Sequence, residues 1–324
     1  MSVPNTNLIK RTLEVWQPRT TRKLTEEDAR EIIHNAVGFF GTLLKWEHDK
    51  SGSTKVIVDK HEGCAIMDKN YVEFCESLWS KWCAGKLNLP PDVTTRLQPQ
   101  FAPEPYVQFE TGKKPLCVLL TNPGKGMPHQ LLTSVKNGKS CITTKMTYHQ
   151  ASLALGIFYL KTLRRGKAAL TRLEGMIRFK QHVRADCLIG FESIPFHSAK
   201  LPNKTRILSL VAACELLRQY QDVLSAALQQ HSVIAVSAVD SGKSISKSSV
   251  ESSPWLKWQA SLLGITPRRL KLVKLVEKKD KVTQAFLYQR IGDATRGFIL
   301  TAGNARWPSE PNESVVAKHF KRNT

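Results

Sequence analysis

No stretch of this sequence approaches the roughly 20 consecutive apolar residues that a membrane-spanning helix requires. The N-terminus, MSVPNTNLIKRTLEVW, lacks the apolar core of a secretion signal. Cysteine occurs seven times, at 64, 75, 83, 117, 141, 187 and 214, an odd count with no C-x-x-C pair. A disulfide framework, a zinc site and a four-cysteine iron–sulfur set are therefore not expected, and several of these thiols lie in apolar contexts that suit small core residues. A phosphate-binding P-loop is also missing. NGKS (137–140) and SGKS (241–244) copy its tail, but the glycine it needs five positions earlier is Thr133 in one case and Ser237 in the other. These absences point to a soluble, cytoplasmic protein with no metal and no organic cofactor.

Acidic residues are scarce in only one part of the chain. Lys and Arg number 48 against 27 Asp and Glu, a formal charge of +21 over 324 residues. Residues 1–110 hold 14 basic and 15 acidic side chains, and residues 111–324 hold 34 and 12. The excess therefore belongs to the C-terminal two-thirds, and a polyanion is the natural partner, with nucleic acid ahead of a membrane surface. The hydrophobic fraction of 41% is enough for a packed core.

Hydrophobic periodicity predicts helices over 25–47, capped by Thr25, and over 70–86. Residues 88–115 carry six prolines and read as an irregular connection, which puts a domain boundary near residue 110. Residues 1–110 are then a helical extension, and 111–324 a basic α/β domain. In the latter, strands are expected at 116–120, 186–191, 232–239, 284–291 and 296–302. Helices are expected at 147–163, 204–229 and 255–263, with a mobile Ser/Lys-rich loop over 240–254. Strands alternating with helices indicate a mainly parallel sheet in a three-layer α/β/α arrangement. No internal repeat is evident, and the expected oligomeric state is a monomer.

Three strand ends carry the chemistry. PLCVLLTNPG (115–124) runs from a strand into Asn122, Pro123 and Gly124. LIGFESIPFHS (188–198) ends in Pro195-Phe196, and FILTAGNARWPSEPN (298–312) ends in Trp307-Pro308-Ser309. In open α/β sheets, sites form beyond the carboxyl ends of the strands. Asn122 can orient a water without ionising, and Gly124 with Gly126 lets backbone approach a phosphate or sugar. Taken singly, Asn-Pro-Gly is an ordinary turn.

In this order, the three segments resemble the uracil-DNA glycosylase superfamily over roughly residues 110–315. The resemblance implies that Asn122 positions the water attacking C1′ of a flipped-out nucleotide, and that Pro308 and Ser309 belong to the last motif. Two positions depart from the family. Glu192 stands where a base-reading Asn is usual, and Trp307 stands where His is usual. An ionised Glu192 would repel the O4 acceptor of uracil, whereas the amino group of cytosine donates to a carboxylate. Arg306 or His197 could replace the charge that Trp307 lacks. Phe191, Phe196 and Tyr148 could stack on the base, or simply pack in the core. The segment EPNES after Ser309 occupies the place of the family's wedge loop but offers no apolar wedge. Lys161, Arg164, Arg165, Lys167, Arg268, Arg269, Lys271 and Lys274 are candidate phosphate contacts.

The expected function is a monofunctional DNA glycosylase acting on double-stranded DNA. The expected base is a modified cytosine of the hydroxymethyl or glucosyl-hydroxymethyl type, and the expected setting is defence against phage. Uracil or mismatch repair is the alternative within the class. A non-catalytic nucleic-acid-binding protein and an RNA-binding factor are the alternatives outside it.

Overall fold

The computed structural model describes residues 6–20, 23–30, 67–121, 123–127, 130–131, 142–163, 171–199 and 203–320. The chain divides into two compact units, residues 1–60 and 61–324. In the first unit, α1 spans Thr6–Trp16 and a short turn follows at Gln17–Arg19. The helix expected at 25–47 begins as anticipated. The Thr25 hydroxyl accepts the Asp28 N–H at 3.2 Å, and the Asp28 carboxylate accepts the Thr25 N–H at 2.7 Å. The rest of that helix lies outside the described residues.

The second unit is α/β, built on one seven-stranded mixed sheet in the order β1-β3-β2-β4-β7-β6-β5. The strands are β1 (Tyr106–Gln108), β2 (Pro115–Leu120), β3 (Cys187–Glu192), β4 (Val233–Val239), β5 (Lys271–Lys278), β6 (Lys281–Ile291) and β7 (Ala294–Ala302). The centre, β3-β2-β4-β7, is parallel, and β1, β6 and β5 pair antiparallel at its flanks. The parallel strands are near-continuous apolar runs, buried along most of their length. Residues 67–110, read from sequence as part of an N-terminal extension, belong to this unit and supply α2 (Lys69–Cys83) and the edge strand β1. The compact units thus meet at residue 60 rather than near residue 110.

Besides a single turn at Pro91–Thr94, the remaining helices of this unit among the described residues are α3 (Tyr148–Leu163), α4 (Thr171–His182), α5 (Lys204–Ala213), α6 (Glu215–Leu228), α7 (Lys247–Ser252), α8 (Pro254–Leu262) and α9 (Glu310–His319). The single helix expected over 204–229 is two, because Cys214 is extended (φ −108°, ψ 113°). The Ser/Lys-rich stretch 240–254 is not all loop. Its Ser246 and Ser249 form a reciprocal capping box that starts α7. EPNES is not a wedge loop either: Ser309 is an N-cap, Pro311 lies in the first turn, and α9 follows.

The outer edge of β1 is closed by α3. The Tyr148 hydroxyl accepts the Tyr106 N–H at 3.2 Å and donates to the Tyr106 carbonyl, and the Ser152 hydroxyl accepts the Gln108 N–H at 2.9 Å. The fit needs Gly156, where a Cβ would lie 2.1 Å from the Gln108 carbonyl oxygen. Burial pushes the Tyr148 phenol well above the ordinary tyrosine range, so it remains a donor. The opposite edge, β5, has no further strand paired to it among the described residues and carries exposed Lys271, Lys274 and Lys278, a pattern that discourages strand addition. Replacing Tyr148 by Phe strands two buried backbone groups. It should therefore lower the unfolding free energy by about 1–3 kcal/mol in urea titration, whereas an exposed-edge change such as Lys274→Gln should leave it within about 0.5 kcal/mol.

Candidate functional site

Two of the three strand-end segments are bound to each other by backbone. The Ser193 N–H donates to the Leu120 carbonyl (3.0 Å), the Ile194 N–H to Thr121 (3.0 Å) and the Ser198 N–H to Gly124 (2.8 Å). The Ser193 hydroxyl adds a 2.6 Å bond to the Leu120 carbonyl. Gly124 has φ +82°, a conformation that a side chain would strain. Gly126 is held against the Phe101 ring, 2.2 Å from where a Cβ would sit.

Beyond these ends lies a cleft of about 900 Å³. Its lining includes Leu120, Pro123 and Gly124 from the first segment, Gly190 and Glu192 from the second, and Ala305 through Ser309 from the third. Glu104, Tyr159, Met176 and Arg178 complete its walls. The three segments that are far apart in sequence therefore share one cavity at the carboxyl ends of the parallel strands.

Strand periodicity decides which residues of β3 reach it. Gly190 and Glu192 share one face, and Phe191 takes the other. There Phe191 packs on Tyr71 of α2, ring centroids 5.7 Å apart. Phe191 is a core residue, and so are Phe196 and Tyr148, each fully buried and absent from the lining. The expected stacking roles fall away for all three.

His197 is also fully buried and does not line the cleft. It stands behind a residue that does: its Nε2 lies 3.3 Å from Glu104 Oε1. Glu104, 2% exposed, also accepts the Gln130 amide and the Tyr159 hydroxyl, the latter at 2.9 Å and 3.1 Å on its two oxygens. Sequence reasoning missed Glu104 because it lies in the proline-rich stretch, where no period marks an orientation. Its burial is tolerable because donors from two separate segments, Gln130 and Tyr159, compensate the lost hydration.

Trp307 lies over Gly175 of α4, where a Cβ would come within 2.2 Å of the indole, and meets Phe179 edge-on at 5.6 Å. Its indole N–H is buried and has no hydrogen-bond partner among the described residues. Arg178, on the same helix, was also missed by sequence reasoning, which assigned no helix to 171–182. Its guanidinium reaches the fully buried Glu313 of α9 at 3.0 Å. Arg306 lines the cleft with an exposed side chain, and its carbonyl accepts the Thr301 hydroxyl at 3.3 Å. The cleft thus combines two buried carboxylates, two guanidinium groups and an unpaired N–H donor.

Other expected positions fall elsewhere. Asn122, Arg164, Arg165 and Lys167 lie outside the described residues, as does the side chain of Lys161. Arg268 and Arg269 are exposed just ahead of β5. The first residue of β5, Lys271, pairs with Tyr288, and Tyr288 pairs with Gly297, near the start of β7. The two arginines therefore sit toward the amino ends of the parallel strands, away from the cleft. Among the described residues, no helix is long and apolar enough to cross a membrane.

No family model matches the chain, and no curated protein or solved structure matches it either.

The contact of Gly175 with Trp307 offers a direct handle on the cleft. Gly175→Ala should displace the indole, cost about 1–3 kcal/mol, and shift the tryptophan fluorescence maximum. An unchanged spectrum and stability would show that the helix can move instead.

Proposed function

We propose that this protein is a DNA glycosylase of the uracil-DNA glycosylase superfamily type, with a three-layer α/β/α arrangement. In this reading it hydrolyses the N-glycosidic bond of a flipped-out, modified cytosine. The observation that carries the reading is the convergence of the three strand-end segments on one cleft, through Leu120, Pro123 and Gly124, through Gly190 and Glu192, and through Ala305–Ser309. Each is a weak signal alone, and nothing in their sequence spacing requires them to meet.

The chemistry assigns each group a task. A water held by Asn122 attacks C1′; the new C1′–O bond forms as the C1′–N bond breaks, and that electron pair leaves with the base. The departing base carries negative charge, and the site must stabilise it. Arg178 and Arg306 supply positive charge, and the Trp307 N–H is a donor without a competing partner. The proton lost by the water goes to a carboxylate, for which Glu104 and Glu192 are the groups lining the cleft. Glu192 accepts from the amino group of a cytosine-type base. A volume of about 900 Å³ is at the upper end of the range for ligand pockets and leaves room for a substituent on the ring. The active chain would need no metal, and without a lysine placed by motif it would act as a hydrolase and not a lyase.

The test is base release from labelled duplexes carrying uracil, a T·G mismatch, 5-hydroxymethylcytosine or its glucosylated form, followed by alkaline cleavage of abasic sites. We expect release of a modified cytosine, reduced at least about 100-fold by Asn122→Ala. Glu192→Gln should lower the preference for a cytosine-type base over uracil. Release of uracil alone would refute the assignment of Glu192 as the reader of an amino group. No release from any duplex would refute the glycosylase reading.

A further inference from the structure

The hairpin joining β5 to β6 overhangs the carboxyl ends of the parallel strands. Gln284 of β6 pairs with Thr301 of β7, which pairs with Ala238 near the end of β4. Lys281 lies three residues further out and pairs with Lys278. At about 3.3 Å per residue, the tip stands roughly 10 Å beyond the level of Thr301. Two left-handed residues, Lys279 (φ 48°) and Asp280 (φ 58°), close the turn.

The tip is fixed to the loop that follows β4. The Ile245 N–H donates to the Val282 carbonyl at 2.9 Å, the Val282 N–H to the Ser244 hydroxyl at 3.0 Å, and Lys281 Nζ to the Gly242 carbonyl at 3.1 Å. On its other side, the Gln284 amide reaches the carbonyl of Arg306, a cleft residue, at 3.5 Å. A ledge therefore runs outward from the rim of the cleft. It carries Lys247, Lys278, Lys279 and Lys281, all exposed. None of these four forms an ion pair with a described carboxylate, whereas Lys243 in the same loop is paired with Asp240 at 2.9 Å, and Arg268 at the other end of the sheet lies 3.7 Å from Glu251.

We propose that this ledge carries the phosphate backbone of the nucleic acid whose base enters the cleft, and that Lys278, Lys279 and Lys281 make the phosphate contacts. The inference rests on the nucleic-acid reading above but not on base excision. It replaces Arg268 and Arg269, which face the wrong end of the sheet, as the principal contacts. Exposed lysines at a strand edge also discourage aggregation. That role would be indifferent to salt-dependent DNA affinity, which is what the test reads.

The experiment is binding of a fluorescein-labelled, undamaged 20-base-pair duplex, followed by anisotropy between 50 and 300 mM NaCl. The triple variant Lys278→Gln, Lys279→Gln, Lys281→Gln is compared with Arg268→Gln, Arg269→Gln and with wild type. Circular dichroism checks each fold. Each phosphate contact contributes about 0.9 to the slope of log affinity against log salt. We expect the ledge variant to lose about two to three from that slope and at least about tenfold in affinity at 150 mM salt, and the arginine variant to bind like wild type. A ledge variant with an unchanged slope, or a loss confined to the arginine variant, overturns the proposal. Wild-type protein with no affinity for the duplex overturns both this proposal and the nucleic-acid reading. Binding that depends on the ledge without base release leaves the ledge standing and removes only the glycosylase.

Discussion

The candidate site depends on one carbonyl oxygen, that of Pro105. It accepts the backbone N–H of Glu192 at 3.0 Å and, from the other side of the sheet, the hydroxyls of Tyr71 (3.0 Å) and Tyr220 (3.1 Å). Tyr220 also donates to the Glu192 carbonyl at 2.5 Å. Burial pushes both phenols well above the ordinary tyrosine range. They therefore stay neutral and keep the protons they donate. Helices α2 and α6 thus fix the backbone that presents the two buried carboxylates, Glu104 and Glu192. The Glu104 N–H completes the brace by donating to the Pro195 carbonyl at 2.7 Å. A carboxylate can be held at a cleft wall only if the chain beneath it does not give, and here its support is a hydrogen-bonded, aromatic core.

This brace also accounts for the position of residues 67–110. Their charge is near neutral and their second half is rich in proline, so they look like an appendage in composition. In structure, Tyr71 holds Pro105, β1 extends the sheet beside β3, and Glu104 enters the cleft. Proline suits this role. Pro103 and Pro105 fix the local backbone angles around Glu104, and an edge strand and its approach lose little when a backbone donor is missing.

The legible part of the fold was the part governed by period and by strand-end chemistry. The buried runs at 116–120, 186–191 and 232–239 are parallel strands because apolar side chains on both faces leave few other structures open to them. Their ends were readable as site loops because Asn-Pro-Gly and Pro-Phe cannot continue a strand. Phe191 could have been assigned correctly from the alternation alone, since a strand that sends Glu192 into a cleft sends Phe191 away from it. By contrast, nothing in the sequence near Glu104 or His197 marks them as partners. They are 93 positions apart, and the 3.3 Å approach between them follows from β1 pairing antiparallel to β3. Arg178 stayed hidden because TRLEGMIRFKQH has a weak amphipathic pattern, and its helix is stabilised by tertiary contacts such as that of Gly175 with Trp307.

The distribution of charge follows from these constraints. The cleft sets the carboxylates of Glu104 and Glu192 beside the guanidinium groups of Arg178 and Arg306, while the ledge beyond the strand ends carries exposed lysines. On the proposed reading, the outer lysines would attract the polyanion, and the two carboxylates would accept hydrogen bonds from a neutral group rich in donors. In that reading a base with an amino or hydroxyl group enters the cleft while the phosphates remain outside. The discrimination needs both layers. The lysines would recruit the nucleic acid, and the buried carboxylates would select the base.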